Sequence, residues 1–388
     1  MDTNSVSIIG AGPAGLQTAI KLKEEGFDPI VYEEHEKVGE PENCTGLISR
    51  TGIEELSVPL DNCLQNNIYG AKIFSPNGTF LKIEKRTPVA YVVDRKEFDR
   101  SLLRKARMKG VHVATHTKLI DAKKSISGNE TTMFIQVEGR GEMRKTQYLV
   151  GADGVNSTVR HLMGINLGKE KFIHTIQGTI KSEYNEKLVE VHLGDAAKGF
   201  FAWVVPIGKD KAKVGLGTML GENVSENFKE FVSKRFPDAR IGEKVSSLIP
   251  YGEPLKSIVK ENYALVGDAA FQTKATSGGG IIFGMRAGNV LGETLATTLK
   301  KKGSIKDYER KLDPINKELK LHWKLRRYAN SLKDAEINSL FSKLKQKGIE
   351  KFLEQHGDMD NPSKFVGKLL SNPSYWSMAG TAIDFFKT

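Results

Sequence analysis

The sequence has little of what marks secreted, membrane-spanning or metal-binding proteins. Its two cysteines, Cys44 and Cys63, are too few for a disulfide scaffold, although a single bond between them stays open. No run approaches the roughly 18 consecutive apolar residues that a membrane-spanning helix needs. No basic region precedes the first apolar run at Val6 and no cleavage site follows it, so we expect no secretory signal and a cytoplasmic protein. The eight histidines lack metal-ligand spacing, and no metal is predicted.

The composition excludes disorder, collagen and coiled coil as the main architecture. Apolar residues make up 39% of the chain and charged residues 27%, as in an ordinary soluble enzyme. A length of 388 residues predicts two or three domains with substantial cores.

The formal net charge is +11, and most of the excess lies in one segment. Residues 300–351 contain 16 Lys and Arg against 7 Asp and Glu. Such a basic segment can attract nucleic acid, an anionic membrane or a phosphate-bearing substrate, or it can be a solvated helical face.

The first ordered signal lies between residues 5 and 33. An apolar strand leads directly into Gly10-Ala11-Gly12-Pro13-Ala14-Gly15, a helical pattern follows, and a second strand ends in Glu33. In this G-x-G-x-x-G pattern the first glycine permits a tight turn and the second lets the backbone approach a pyrophosphate. The third glycine lets helix and strand pack closely, and Glu33 can accept hydrogen bonds from ribose hydroxyls. The pattern predicts a dinucleotide site.

Two later segments decide between NAD and FAD. Residues 148–160 contain a strand, a turn at Asp153-Gly154 and a helix start, and residues 263–270 contain a strand that ends in Gly267-Asp268. Both resemble motifs of flavoproteins with the para-hydroxybenzoate hydroxylase fold. The resemblance implies that Asp268 binds the ribityl chain of FAD. It also implies that the following glycine turn and helix N-terminus face the flavin, where reduction places negative charge near N1.

Three further motifs narrow the family. They are Pro41-Glu42-Asn43-Cys44-Thr45-Gly46-Leu47-Ile48-Ser49, Thr276-Ser277-Gly278-Gly279-Gly280-Ile281 and Phe201-Ala202-Trp203-Val204-Val205-Pro206. Together they resemble the geranylgeranyl reductase family, over roughly residues 5–300. The family's aromatic motif is Tyr-x-Trp-x-Phe-Pro, so Trp203 and Pro206 match, whereas Phe201 and Val205 differ. Ala275 stands where many members have proline.

The resemblance implies an FAD-dependent reductase that saturates the double bonds of geranylgeranyl chains. The Cys44 stretch is similar to the archaeal branch, so we expect a glycerol phosphate ether lipid as substrate. N5 of reduced FAD would supply hydride, and a proton would complete the reduction. Phe201, Trp203 and Pro206 are the expected substrate contacts. Cys44 is the one catalytic candidate, beside the flavin, with a small packing residue as the alternative.

The predicted cofactor-binding residues come from all these motifs and from two further positions. Related flavoproteins place an arginine near FAD at the position of Arg95, and the backbone of Leu119 is expected to contact the adenine. The full set is Gly10, Gly12, Ala14, Gly15, Glu33, Cys44, Thr45, Leu47, Arg95, Leu119, Asp268, Gly279, Gly280 and Ile281.

The predicted fold class is α/β, with α+β elements. A Rossmann-like FAD-binding domain (1–65, 92–165 and 250–300) is interrupted by an antiparallel-sheet substrate domain (66–91 and 166–249). A basic, mainly helical region follows (301–388). Pro362 and Pro373 are expected to break up the tail, whose aromatic residues from Tyr375 to Phe386 either line a lipid entrance or cap the core.

Two other functions compete with the reductase. One is a flavin-dependent monooxygenase or halogenase of the same fold, because Phe201-x-Trp203-x-x-Pro206 is faintly similar to the halogenase pattern Trp-x-Trp-x-Ile-Pro. The other is a non-catalytic flavoprotein or nucleic-acid binder that uses the basic segment, although we expect no nucleic acid as partner.

The expected partners are a lipid, an electron donor and a membrane. No nicotinamide fingerprint is present, so NADPH, ferredoxin and a deazaflavin all stay open as donors. The basic segment favours peripheral contact with anionic lipid on the inner face of the cell membrane. Charge reversal at Lys324, Arg326 and Arg327 is expected to weaken that contact.

Overall fold

The structure is a computed structural model that describes residues 4–60, 62–127, 130–138, 143–182 and 184–371. Within these ranges the chain forms 18 β-strands and 11 α-helices. The strands are β1 (Asn4–Ile9), β2 (Ile30–Tyr32), β3 (Leu47–Ser49), β4 (Leu64–Ile68), β5 (Gly70–Phe74), β6 (Phe80–Glu84), β7 (Ala90–Val93), β8 (His112–Ala114), β9 (Leu119–Ser127), β10 (Glu130–Val137), β11 (Arg144–Gly151), β12 (Phe172–Lys181), β13 (Leu188–His192), β14 (Ala202–Pro206), β15 (Lys211–Met219), β16 (Ile241–Pro250), β17 (Val259–Lys260) and β18 (Tyr263–Leu265). The helices are α1 (Pro13–Glu24), α2 (Arg50–Glu55), α3 (Arg95–Met108), α4 (Thr158–Leu162), α5 (Val224–Arg235), α6 (Ile281–Leu299), α7 (Asp307–Lys311), α8 (Asp313–Ser331), α9 (Asp334–Gln346), α10 (Ile349–His356) and α11 (Pro362–Ser371).

The first sheet has a parallel centre of five strands, in the order β18-β11-β1-β2-β8. Its central strands carry side chains such as Val6, Ile8, Leu149 and Val150, which are fully buried. This follows from the architecture, because parallel sheets are covered on both faces and their strands are apolar throughout. The antiparallel strands β9, β10 and β17 extend this sheet.

Helices α1 and α6 pack side by side along a row of small residues. The facing pairs are Ala14 with Gly284, Thr18 with Gly288, and Lys21 with Gly292. A Cβ atom on Gly288 would lie 2.8 Å from the carbonyl oxygen of Ala14, so only glycine allows this approach. Because the pairs ascend together in both helices, the helices are parallel and their N-termini lie at the same end.

The second sheet has seven strands in the order β16-β12-β15-β14-β13-β5-β6. All neighbours are antiparallel except β13 and β5, which are parallel, so the predicted antiparallel sheet is in fact mixed. Strand β14 shows the expected alternation of faces. Ala202 and Val204 pack beneath α5, whereas Trp203 and Val205 face the opposite side.

A small sheet, β3-β7-β4, completes the β-structure and was not predicted from the sequence. The predicted fold class is confirmed: a mixed α/β protein with a Rossmann-like sheet, a second sheet and a helical C-terminal region. The strands of the second sheet fall within 70–84 and 172–250. The domain boundaries stay a proposal.

The C-terminal region contains helices α7 to α11. Pro362 lies at such a break, because α10 ends at His356 and Pro362 is the first residue of α11. Proline suits that position, since the N–H group that it lacks would have no intrahelical partner there. Pro373 and the aromatic residues from Tyr375 to Phe386 lie outside the described residues. None of the described helices is long and apolar enough to cross a membrane.

Candidate active site

One cavity of about 760 Å³ collects nearly all of the predicted site residues. Its walls come from the turn before α1, the segment 39–47, the second sheet and the glycine turn before α6. Gly15 and Pro206 are the two predicted residues that do not line it. Gly15 packs against the carbonyl oxygen of Gly10, and the carbonyl oxygen of Pro206 accepts a hydrogen bond from Asn66 Nδ2 at 3.1 Å.

The N-terminus of α1 opens on this cavity. Gly12 is the N-cap residue and no side chain caps the helix, so its first N–H groups are available to a ligand. A Cβ atom on Gly12 would meet nothing within 4 Å, whereas one on Gly10 would lie 2.4 Å from the carbonyl oxygen of Ala152. Gly10 is therefore required by the fold, and Gly12 leaves open space where an anion can approach the backbone.

Glu33 lies at the end of β2 and is 8% exposed. Its carboxylate accepts hydrogen bonds from the backbone N–H of Ala11 at 2.8 Å and from the backbone N–H of His35 at 3.0 Å. A third contact, 2.6 Å long, joins it to Nδ1 of His35. Glu33 thus holds the glycine turn in place, and its contact with a ribose stays a prediction.

The N-terminus of α6 opens on the same cavity. Gly280 is its N-cap, and here too no side chain caps the helix. Asp268 accepts a hydrogen bond from Thr273 Oγ1 at 3.0 Å, and burial raises the pKa of Asp268. A Cβ atom on Gly280 would lie 2.5 Å from Oδ1 of Asp268, so glycine lets the turn pass close to this carboxyl group.

These features fit FAD. Two uncapped helix N-termini meet at one cavity because α1 and α6 are parallel neighbours, and both favour negative charge there. The N-terminus of α1 has the open backbone that a pyrophosphate needs. The N-terminus of α6 has the N–H donors that an electron-rich flavin needs.

Cys44 lies in the segment that borders the cavity between the two large sheets. Its Sγ accepts a hydrogen bond from the backbone N–H of Gly46 at 3.4 Å. Burial alone would lower the pKa of Arg95, but Asp99 and Cys44 raise it above its ordinary value. Cys44 and Cys63 do not form a disulfide with each other in the structure.

The segment that carries Cys44 is tied to the second sheet. Glu42 pairs with Lys213 of β15 at 2.5 Å, and Thr45 Oγ1 donates a hydrogen bond to Gln177 Oε1 of β12 at 2.9 Å. These contacts fix the thiol at the junction of the two large sheets.

The far wall of the cavity is aromatic and aliphatic. Phe200 and Phe201 stack with ring centroids 4.2 Å apart, and Trp203 meets Phe201 edge-on at 5.8 Å. The indole of Trp203 lies over Gly215 of β15, where a Cβ atom would be only 2.2 Å from the ring. Gly215 therefore makes room for the tryptophan, which the aromatic motif alone did not reveal.

The sequence analysis also missed a buried polar cluster behind the glycine turn. Lys274 pairs with Asp360 at 2.5 Å, and Ser49 donates a hydrogen bond to the same carboxylate. His322 Nδ1 lies 2.7 Å from Thr276 Oγ1, and its Nε2 lies 3.2 Å from the carbonyl oxygen of Asp360. Burial and the positive charge of Lys274 together lower the pKa of His322 to about 4. No motif joins these residues, because they come from four separate elements.

The prediction that Arg326 belongs to a basic surface is wrong. Arg326 is 5% exposed and donates hydrogen bonds to the carbonyl oxygens of Phe200, Ala275 and Thr276 at 2.6–3.1 Å. Burial lowers its pKa to about 10. It fastens α8 to the glycine turn, so only Lys324 and Arg327 of the predicted trio are exposed.

Comparison with known proteins identifies the chain. The family model described as "FAD binding domain" matches residues 3–320. A digeranylgeranylglycerophospholipid reductase of Methanosarcina mazei is 32% identical over 310 residues, which cover 75% of each chain. A geranylgeranyl bacteriochlorophyll reductase-like structure from Thermoplasma acidophilum has a TM-score of 0.86 at 18% identity, covering 99% of this chain and 100% of that one. A flavin-dependent brominase, Bmp2, has a TM-score of 0.63 at 17% identity, covering 96% of this chain and 91% of that one.

The chain is a flavoprotein of the FAD binding domain family, and FAD is its cofactor. Within that class it belongs to the digeranylgeranylglycerophospholipid reductase family, as the predicted resemblance to geranylgeranyl reductases implied.

Proposed function

We propose that this protein is an FAD-dependent reductase that saturates the double bonds of geranylgeranyl chains on glycerol phosphate ether lipids. The observation that supports this best is the wall of Phe200, Phe201 and Trp203, which faces the same cavity as the glycine turn before α6. An isoprenoid chain needs an apolar slot of this kind beside the flavin. The name of the Methanosarcina relative supports the same substrate class.

The predicted cofactor-binding residues, from Gly10 to Ile281, are proposed to hold FAD. Bound FAD supplies hydride from its N5 atom once it is reduced. The chain's own contribution is to orient the alkene against the flavin and to exclude water, which Phe201 and Trp203 do through their apolar surface. Cys44 is proposed to act beside the flavin, where its Sγ accepts a hydrogen bond from the backbone N–H of Gly46.

The experiment is anaerobic incubation of the chemically reduced holoprotein with a geranylgeranyl glycerol phosphate ether, followed by mass spectrometry. The expected product gains hydrogen atoms in pairs, one pair for each bond saturated. Trp203→Phe serves as the matched variant, because it keeps an aromatic ring in the slot and changes its width. An unchanged lipid, with flavin present and reduced, contradicts the proposal.

The alternative function is that of a monooxygenase or halogenase of the same fold. The fold likeness to the brominase is real, but it is likeness of fold alone. Oxygen uptake that yields a hydroxylated or halogenated product would favour this alternative over the reductase. The electron donor is proposed to be NADPH, ferredoxin or a deazaflavin, and steady-state assays with each would choose among them.

We also propose peripheral contact with the inner face of the cell membrane. The exposed cations Lys317, Lys320, Lys324 and Arg327 of α8 recur at helical spacing, so they form one stripe. None of the four makes an ion pair within the part of the chain that the structure describes. A cation held near an anionic bilayer contributes about 1 kcal/mol of attraction.

The test compares two double variants in vesicle sedimentation. Lys320→Glu with Lys324→Glu is expected to weaken binding to anionic vesicles, and to leave FAD binding intact. Lys123→Glu with Arg144→Glu, on the first sheet, changes the net charge equally and is expected to bind as the unaltered protein does. Equal binding by both variants means that the stripe is only a solvated helix face.

A further inference from the structure

A buried ion pair borders the cavity but takes no part in the function described so far. Lys274 Nζ lies 2.5 Å from Asp360 Oδ1, and the two side chains are 6% and 1% exposed. Lys274 also donates to the carbonyl oxygen of Met359 at 3.3 Å, and Ser49 donates to the second oxygen of Asp360. Desolvation makes such a pair a poor source of stability, so its position calls for another explanation.

The pair is oriented with its positive end toward the cavity. Lys274 lines the cavity, whereas Asp360 does not. The lysine side chain also covers the turn before α6: a Cβ atom on Gly279 would lie 2.9 Å from Cε and 3.4 Å from Nζ of Lys274. The ammonium group therefore stands beside the uncapped N-terminus of α6, and both present positive charge to the same space.

The positive charge of Lys274 shifts the pKa of neighbouring groups even though Lys274 is paired with Asp360. After burial itself, this charge is the main cause that lowers the pKa of His322 to about 4. Burial would raise the pKa of Asp360, but Lys274 lowers it below its ordinary value. The other charged or titratable groups that line this cavity are Glu33, Glu34, His35, Glu40, Glu42, Cys44, Arg95, Asp99, Lys118, Asp153, Glu190 and Asp268, and His322, Arg286 and Arg326 lie around the turn.

We propose that Lys274 stabilises the anionic form of reduced FAD in this cavity, and that Asp360 is the positioning residue that holds Lys274 there. Reduction of FAD by two electrons takes up one proton, at N5, when N1 stays anionic. It takes up two protons when N1 is also protonated. A cation beside the flavin favours the first outcome. The inference depends on FAD and not on the identity of the lipid, so it can fail while the proposed substrate stands.

The experiment measures the midpoint potential of the FAD-loaded, full-length protein against pH, by anaerobic dye equilibration with dithionite as reductant. For a two-electron couple, each proton taken up contributes 29.6 mV per pH unit. The plot of midpoint potential against pH therefore has the slope of two protons below the pKa of N1 and the slope of one proton above it. The double variant Lys274→Met with Asp360→Asn removes both charges and leaves no unpaired buried charge. It is expected to move this change of slope to higher pH, by less than Lys274→Met alone does, because the loss of the Asp360 charge partly offsets the loss of the cation.

Two single variants test the direction in which each charge shifts the midpoint potential. Lys274→Met is expected to lower the midpoint potential because it removes the cation, and Asp360→Asn to raise it because it removes the opposing charge. A pair that only fastens the C-terminal segment to the turn would give shifts in the same direction, or none. Lys274→Arg keeps the charge and is expected to keep the break in slope. Equal breaks in the unaltered protein and the double variant, both folded and loaded with FAD, overturn the proposal.

Discussion

Replacement of Gly12 by alanine is expected to weaken FAD binding while it leaves the stability of the apoprotein nearly unchanged. Gly12 has φ −73° and ψ 175°, which alanine adopts without strain. A Cβ atom there would meet no protein atom within 4 Å. The added methyl group therefore points into space that only a ligand fills, and we expect it to interfere with the pyrophosphate of FAD.

The expected magnitudes differ between apoprotein and holoprotein. In the apoprotein, alanine is a poorer N-cap than glycine by about 0.5–1 kcal/mol. Its smaller conformational entropy in the unfolded chain offsets this by about 0.4–1 kcal/mol. The free energy of unfolding should hence change by less than about 1 kcal/mol. In the holoprotein, overpacking by one methyl group costs about 1–3 kcal/mol, which corresponds to FAD binding roughly 5- to 150-fold weaker.

The assay is titration of the apoprotein with FAD, together with denaturant unfolding in the absence of FAD. Gly208→Ala is the matched control, because a Cβ atom on Gly208 also meets nothing within 4 Å. This control should leave FAD binding unchanged and raise the free energy of unfolding by at most about 1 kcal/mol. FAD binding by Gly12→Ala as tight as that of the unaltered protein would refute the assignment of this turn to the pyrophosphate. Loss of folding in the apoprotein would refute the claim that the space is open.

Three further predictions rest on single side chains. Asp268→Ala should weaken FAD binding by about 1 kcal/mol in a fluorescence titration, because a hydrogen-bond acceptor is lost; unchanged affinity would remove Asp268 from the site. Trp203→Phe and Gly215→Ala should each change which double bonds are reduced. Gly215→Ala would do so by displacing the indole of Trp203. An unchanged product pattern would mean that Trp203 is a core residue only. The pKa of His322, about 4 in the folded state, lies below the unfolded value of about 6.5, so the unfolded chain binds the proton first as pH falls. The free energy of unfolding should then fall by about 3 kcal/mol between about pH 6.5 and 4, and by much less in His322→Gln. Denaturant unfolding at each pH measures both. Equal pH dependence in the two proteins would contradict the lowered pKa of His322.

The parts of the site that are local in sequence were predictable. The turn from Gly10 to Gly15 and the turn that ends at Gly280 are short segments whose glycines have a direct conformational reason. The first directly follows strand β1, and the second leads directly into helix α6. The α/β class follows from that alternation of strands and helices.

The parts that depend on distant segments were not predictable. Lys274 and Asp360 are 86 positions apart and Ser49 and Asp360 are 311 apart, so no pattern links them. Arg326 lies among lysines in the sequence and was therefore assigned to the surface. It is buried because the carbonyl groups of the glycine turn and Phe200 accept its hydrogen bonds. Only the glycine spacing on α6, at Gly284, Gly288 and Gly292, was a signal in the sequence that could have predicted its close packing on α1.

The most direct measurement is a single-turnover experiment without oxygen. The holoprotein is reduced chemically, freed of excess reductant and mixed with a geranylgeranyl glycerol phosphate ether, while the flavin spectrum and the lipid mass are followed together. The account predicts that the oxidised flavin spectrum returns in the absence of oxygen, with one double bond saturated for each flavin reoxidised. A flavin that stays reduced beside the lipid, and is reoxidised only when oxygen is admitted, would contradict it.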